Sequence, residues 1–282
     1  MIDLRNQNIT LRVNPLGAQM EALAVYGKPL LWEKDPAVWN GTAPVLFPIC
    51  GRLAEGRYLL DGASYELPIH GFARNMLFTV AKRTETEAVF SLSDSAETRA
   101  VYPFAFRFDI AFSLLENGVE IAYTVHNPGA RPLPFATGGH YGFTAPGGVD
   151  RYKIVFDRPL SLAREVLAAG LLTGGREPVP CEGDTLYMDY SMCDNDSYVF
   201  VGQDSRACAL MPRKGAGKIL LEYPDTPHLL LWTQPGAEYL CIEPWTGCPD
   251  GQTPTDLYKK KEMRLVPPGG TKRVIHRIKG EI

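Results

Sequence analysis

From Phe104 onward the chain alternates apolar and polar residues through two consecutive runs. Phe104, Phe106, Phe108, Ile110, Phe112 and Leu114 alternate with Ala105, Arg107, Asp109, Ala111 and Ser113. After Glu116-Asn117-Gly118, a second run sets Val119, Ile121, Tyr123 and Val125 against Glu120, Ala122, Thr124 and His126. A period of two belongs to a strand with one face buried, and an Asn-Gly pair between two such runs predicts a β-hairpin. Residues 58–60 and 64–67 flank Asp61-Gly62 and predict a second hairpin.

Shorter strands are expected over residues 9–13, 77–82, 88–92, 152–156, 198–201, 219–223, 229–232, 239–243, 263–266 and 273–278. Short helices are expected over 161–169 and 255–260. The 27 glycines and 23 prolines among 282 residues exceed the combined average of roughly 12% and supply many turns. No βαβ rhythm, internal repeat or linker is visible. The expectation is an all-β chain, a large antiparallel β-sandwich over residues 1–282 as a single domain, with an open face or groove for a ligand.

The formal net charge is −3, and the one basic run, Lys259-Lys260-Lys261, is too short to track a phosphate backbone. Nucleic acid is therefore not expected as a partner. Residues 1–10 hold charges and no apolar signal core, and the longest apolar runs fall far short of a membrane span. The expected compartment is the cytoplasm, without membrane association. The oligomeric state stays open, a homodimer included. Cys50, Cys181, Cys193, Cys208, Cys241 and Cys248 contain no C-x-x-C pair and read as reduced thiols packed as small apolar groups. The five histidines lack metal-ligand spacing, and neither a metal nor a cofactor is expected. Gly215-Ala216-Gly217-Lys218 lacks the residues a phosphate loop needs, and no G-x-S-x-G elbow occurs.

What remains are polar residues in unusual settings. Arg52 follows the apolar stretch Leu46-Phe47-Pro48-Ile49-Cys50-Gly51 and fits either a surface cation or a guanidinium that binds hydroxyls. His70 in His70-Gly71-Phe72-Ala73-Arg74 follows a proline turn, a place for a ligand loop or a backbone-bonded histidine. His140 lies in Thr137-Gly138-Gly139-His140-Tyr141-Gly142-Phe143, where glycines allow close approach of backbone to a ligand. Glu243 ends the apolar run of Tyr239-Leu240-Cys241-Ile242, before Pro244 and Trp245. It is expected at a cavity mouth beside an aromatic stacking plane. Asp196, in Cys193-Asp194-Asn195-Asp196-Ser197, reads from composition as an Asx-rich turn.

In this order the segments resemble the aldose 1-epimerase (galactose mutarotase-like) family, most closely its LacX-like branch. The resemblance runs from Asn14-Pro15-Leu16-Gly17-Ala18 to Leu265-Val266-Pro267-Pro268-Gly269-Gly270, with Glu243–Gly247 and Asp250 among its most specific pieces. It implies the supersandwich fold, a monosaccharide substrate, Glu243 as general base and His140 as general acid. It further implies Arg52, His70 and Asp196 as sugar contacts, with Arg74 as a groove residue. Interconverting anomers needs one proton removed from the C1 hydroxyl and one delivered to the ring oxygen, so a base and an acid suffice. A neighbouring Glu243 carboxylate would raise the His140 pKa. His140 is followed here by Tyr141-Gly142-Phe143 where the branch usually has Pro-Ala-Phe, which leaves the sugar preference open.

Three other readings compete. A hexose-6-phosphate 1-epimerase would grip its phosphate with Arg52 and Arg74. A glycosidase would pair Glu243 with Asp196 or Asp250. A sugar-binding protein on the same fold would not need a base–acid pair.

Overall fold

A computed structural model describes residues 1–281. The alternating runs form the strands Arg107–Leu114 and Gly118–His126, paired antiparallel from Leu114↔Val119 to Arg107↔His126. Phe108, Ile110, Phe112, Val119, Ile121, Tyr123 and Val125 are buried, as the period of two requires. Phe104 and Phe106 are buried as well, ahead of the strand. The second expected hairpin forms between Arg57–Leu60 and Ala63–Glu66, with Asp61 and Gly62 both at positive φ.

Arg107–Leu114 and Gly118–His126 belong to a nine-stranded antiparallel sheet that also holds Tyr152–Phe156, Lys218–Glu222 and Thr271–Glu281. A six-stranded sheet carries Tyr198–Phe200, His228–Trp232, Tyr239–Trp245, Gly138–Gly139 and Val45–Leu46, with Tyr141–Thr144 also paired to Tyr239–Trp245. One core cluster joins the two, with Phe108, Ile121 and Ile278 from the first and Leu229, Leu231, Leu240 and Ile242 from the second. The result is the antiparallel β-sandwich that the alternation predicts. Among the described residues the one α-helix is Ala96–Val101, capped by Ser95 and Thr98. Among the described residues no helix is long and apolar enough to cross a membrane.

Two expected helices are absent. Residues 161–169 contain the strand Ala163–Ala168, which forms a hairpin with Leu171–Pro178. Leu, Ala and Glu favour a helix locally, but a segment this short is marginal alone, and cross-strand pairing overrides it. Its turn, Ala169-Gly170, has φ of 52° and 76°, a conformation that ends any helix. Residues 255–260 form turns around the bridge Leu59↔Asp256. Their middle basic residue points inward: Lys260 is buried and bonds Asp250 at 2.6 Å and the Cys248 carbonyl at 2.8 Å.

Candidate active site

One cleft of about 210 Å³ is lined by Arg52, His70, His140, Asp196 and Glu243, together with Trp39, Trp232 and Trp245. It is smaller than the ~300–1,000 Å³ typical of sites for drug-sized ligands, a size for a small molecule.

The strand Tyr239–Trp245 makes its floor. Leu240 and Ile242 enter the main core, so by alternation Tyr239, Cys241, Glu243 and Trp245 share the opposite face. Glu243 is 1% exposed and sits inside the strand, which corrects the expected cavity mouth. The depth comes from aromatic rings stacked around this face, among them Trp39, Trp232 and Tyr239. Neither Glu243 carboxylate oxygen has a hydrogen-bond partner. Burial, and next the charge of Asp196, push its pKa well above the usual 4.5.

His140 stands across from it. The pairing of Gly138 with Trp245 and of Tyr141 with Ile242 keeps one register, which sets His140 opposite Glu243. Nε2 of His140 lies 3.4 Å from Oε2 of Glu243, and its Nδ1 is buried without a partner. Burial above all, with a smaller push from the charge of Arg74, lowers the His140 pKa to about 3. This reverses the expected rise: both groups lie out of water, and desolvation outweighs their mutual attraction. Neutral forms are favoured on both, so the proton that the pair can exchange is favoured on Glu243.

The glycines around His140 make room for protein rings. A Cβ on Gly142 would lie 2.6 Å from the Trp39 ring, and one on Gly139 would lie 2.1 Å from that of Tyr141. Trp39 then stacks on His140, with ring centres 5.3 Å apart. The expected close approach is thus that of the protein's own side chains.

His70 is 6% exposed and has φ of 66°, the left-handed region. It is held there by its carbonyl, which accepts from Phe47 N–H, and by Gly51 N–H, which donates to its Nδ1 at 3.1 Å. Nδ1 is therefore unprotonated, and the neutral ring carries its hydrogen on Nε2. Burial, then His140, Arg74 and Arg52, hold its pKa well below 6.5. The ring packs edge-on against His140 and Trp245.

Arg52 and Asp196 are exposed and form the rim. The hairpin tip at Gly170 inserts between them: a Cβ there would lie 2.9 Å from Arg52 Cδ and 3.4 Å from Asp196 Oδ2. The Arg52 carbonyl accepts from Asp250 N–H at 2.9 Å, and Asp250 Oδ2 accepts from Ala54 N–H at 3.2 Å. The Lys260–Asp250 pair thereby fixes the backbone on which Arg52 stands. Asp250 is spent in that pair and does not line the cleft, which removes it as a partner for Glu243. Arg74, on the turn Ala73–Asn75, also lies outside the lining. Its Nε is buried without a partner, burial lowers its pKa, and its charge acts on both His70 and His140. Trp39 and Trp232 are lining residues the sequence did not disclose. Trp39 lies outside any periodic run, and its one local signal is Gly41, where a Cβ would lie 2.6 Å from its ring.

The sequence profile described as aldose 1-epimerase matches residues 1–255. The chain belongs to the aldose 1-epimerase family. Within it, the plasmid-encoded protein LacX of Lactococcus lactis subsp. lactis is 29% identical over 266 residues, 87% of each chain. The solved structure of a galactose mutarotase-like protein from Lactobacillus casei superposes with a TM-score of 0.95 at 26% identity, covering 100% of both chains. A galactose mutarotase related enzyme from Lactobacillus acidophilus gives 0.94 at 28% identity, over 100% of this chain and 97% of the other. The family fold is the galactose mutarotase-like sandwich described above.

Proposed function

We propose that this chain is an aldose 1-epimerase that interconverts the α and β anomers of a free aldose, with Glu243 and His140 as the proton-transfer pair. The observation that carries this reading is the 3.4 Å approach of the two side chains at the base of a cleft of about 210 Å³. Glu243 takes the proton of the C1 hydroxyl while His140 gives one to the ring oxygen. The ring opens, C1 turns about the C1–C2 bond, and the ring closes with the residues in exchanged roles. Each half-reaction takes one proton and returns one, so a pair holding a single proton has the right count at every stage. Bound hydroxyls and the Nε2–H of His70 replace the missing solvent and let the proton move between the two.

Arg52 and Asp196 meet the sugar at the rim, and Trp39, Trp232 and Trp245 offer apolar faces to its C–H side. Arg74 acts from behind, through its charge on both histidines. The core cluster running from Leu4 to Ile278 supports one domain. The test is NMR exchange between anomer signals over a panel of free aldoses and their 6-phosphates. Faster exchange of a free aldose is expected. Preference for a 6-phosphate, lost in Arg74→Ala, would assign the chain to phosphorylated hexoses, and no exchange with any sugar would leave a binding protein.

A further inference from the structure

Beneath the floor of the cleft lies a third donor that the proton chemistry does not use. Cys241 and Glu243 are two residues apart on one face of the strand Tyr239–Trp245, and His140 is opposite Glu243. One donor atom from each of the three lies within 4.8 Å of the others. Cys241 is fully buried, and both oxygens of Glu243 lie buried without a partner. Buried polar atoms without partners are costly, so a ligand that satisfies several at once gains on each.

A thiol, an imidazole and a carboxylate make a donor set for borderline-soft cations, unlike the all-oxygen sets of magnesium and calcium. Zinc bonds of about 2.0–2.3 Å put neighbouring tetrahedral ligands roughly 3.4–3.6 Å apart. The 3.4 Å between His140 and Glu243 already matches one such edge. The remaining donor must close by about an ångström, a small side-chain rotation. Thiolate and carboxylate together balance the two positive charges, which a dry site requires. The thiol proton and the proton favoured on Glu243 both leave to solvent as the cation binds, and water can complete the fourth position.

We propose that His140, Cys241 and Glu243 form a binding site for a divalent cation of the zinc type, filled in competition with the sugar. The competition rests on the proposed function, whereas the site itself does not. Zinc seated there occupies both proton-transfer residues, so it inhibits anomer exchange and is relieved by sugar or chelator.

The test uses the chelator-treated full chain and Co²⁺ as a spectroscopic probe. Wild type is expected to give the near-ultraviolet sulfur-to-cobalt charge-transfer band, displaced by Zn²⁺. Cys241→Ser, which leaves the proton-transfer pair intact, should keep its circular dichroism and its anomer exchange. It should lose the band and at least about tenfold in Zn²⁺ sensitivity, the loss seen even when an outer-shell partner of a ligand is removed. A band that is absent from wild type, or that persists in Cys241→Ser on Cys181 or Cys193, overturns the proposal. A Cys241-dependent band in a chain that exchanges no anomers supports the site and overturns the epimerase reading instead.

Discussion

His140 Nε2 and Glu243 Oε2 face each other across 3.4 Å on neighbouring segments of one sheet, the first near the cleft surface and the second sealed beneath it. On the proposed mechanism the two act as one unit. Glu243→Gln should therefore lower kcat for anomer exchange by roughly 10²–10⁴-fold with little change in sugar affinity. His140→Asn should cost a similar factor, and the double variant little more. Wild-type exchange by a folded Glu243→Gln protein would refute the assignment.

His70 lines the cleft, and the Gly51 N–H on its Nδ1 leaves the ring hydrogen on Nε2. His70→Asn, which can keep an acceptor near Gly51, should fold normally and raise KM more than it lowers kcat. His70→Ala orphans the Gly51 N–H and should in addition lose about 1–3 kcal/mol of stability. Chemical denaturation and steady-state kinetics of the two variants separate these roles. Equal kinetics in both variants and wild type would make His70 purely structural.

Gly142 packs against the Trp39 ring that stacks on His140. Gly142→Ala drives a methyl into the Trp39 ring, with the Thr42 carbonyl at 3.0 Å blocking retreat. The expected result is about 1–3 kcal/mol of destabilisation and a fall in kcat/KM as the ring against His140 shifts. Tryptophan fluorescence should report the shift, and an unchanged spectrum with unchanged rate would show that the ring is not positioned by this glycine.

Lys260 and Asp250 are almost wholly removed from water. Lys260→Met leaves a buried carboxylate alone and should cost roughly 3–5 kcal/mol. Lys260→Met with Asp250→Leu should recover much of that loss in urea melts, yet still bind sugar poorly, because Asp250 anchors the segment carrying Arg52. Full recovery of both would deny Asp250 its part in placing Arg52.

His276 is fully buried, bonded to the Tyr141 hydroxyl at 2.8 Å, and burial lowers its pKa to about 3. Unfolded, it binds a proton near 6.5, so between these values the unfolded state holds one proton more. Its contribution to stability is whole above about pH 6.5 and falls by about 1.4 kcal/mol per pH unit as pH drops toward 3. His276→Gln should remove one proton's worth of that slope, measured as melting temperature against pH beside wild type. Parallel curves would place the acid sensitivity elsewhere.

The strands were legible where one face is buried: the run ending at Leu114, the run starting at Val119 and their Asn-Gly turn carry the whole instruction locally. Glu243 was legible as a carboxylate in an apolar strand. Its depth was not, since that is set by Trp39, distant in sequence and brought in by packing, together with Trp232 on the neighbouring strand. For the same reason the His140 pKa moves opposite to expectation: adjacency of charges is readable, whereas the loss of water around them is not. The hairpin at Ala163–Ala168 was hidden by residues that favour helix in isolation. Asp196 was the least legible of the expected contacts, and it reaches the cleft at φ of 74° after the turn Tyr190–Asn195.

The strand under the cleft serves the hydrophobic core with one set of residues and the cleft with the next. Glu243 therefore cannot drift without disturbing the folded state. Arg52 and Asp196 sit in solvent, where substitutions usually change stability by less than about 0.5 kcal/mol. On the proposed function, the reaction rests on the sealed strand and sugar choice on the solvent-facing rim, so the rim is the part to vary when a sugar is to be assigned.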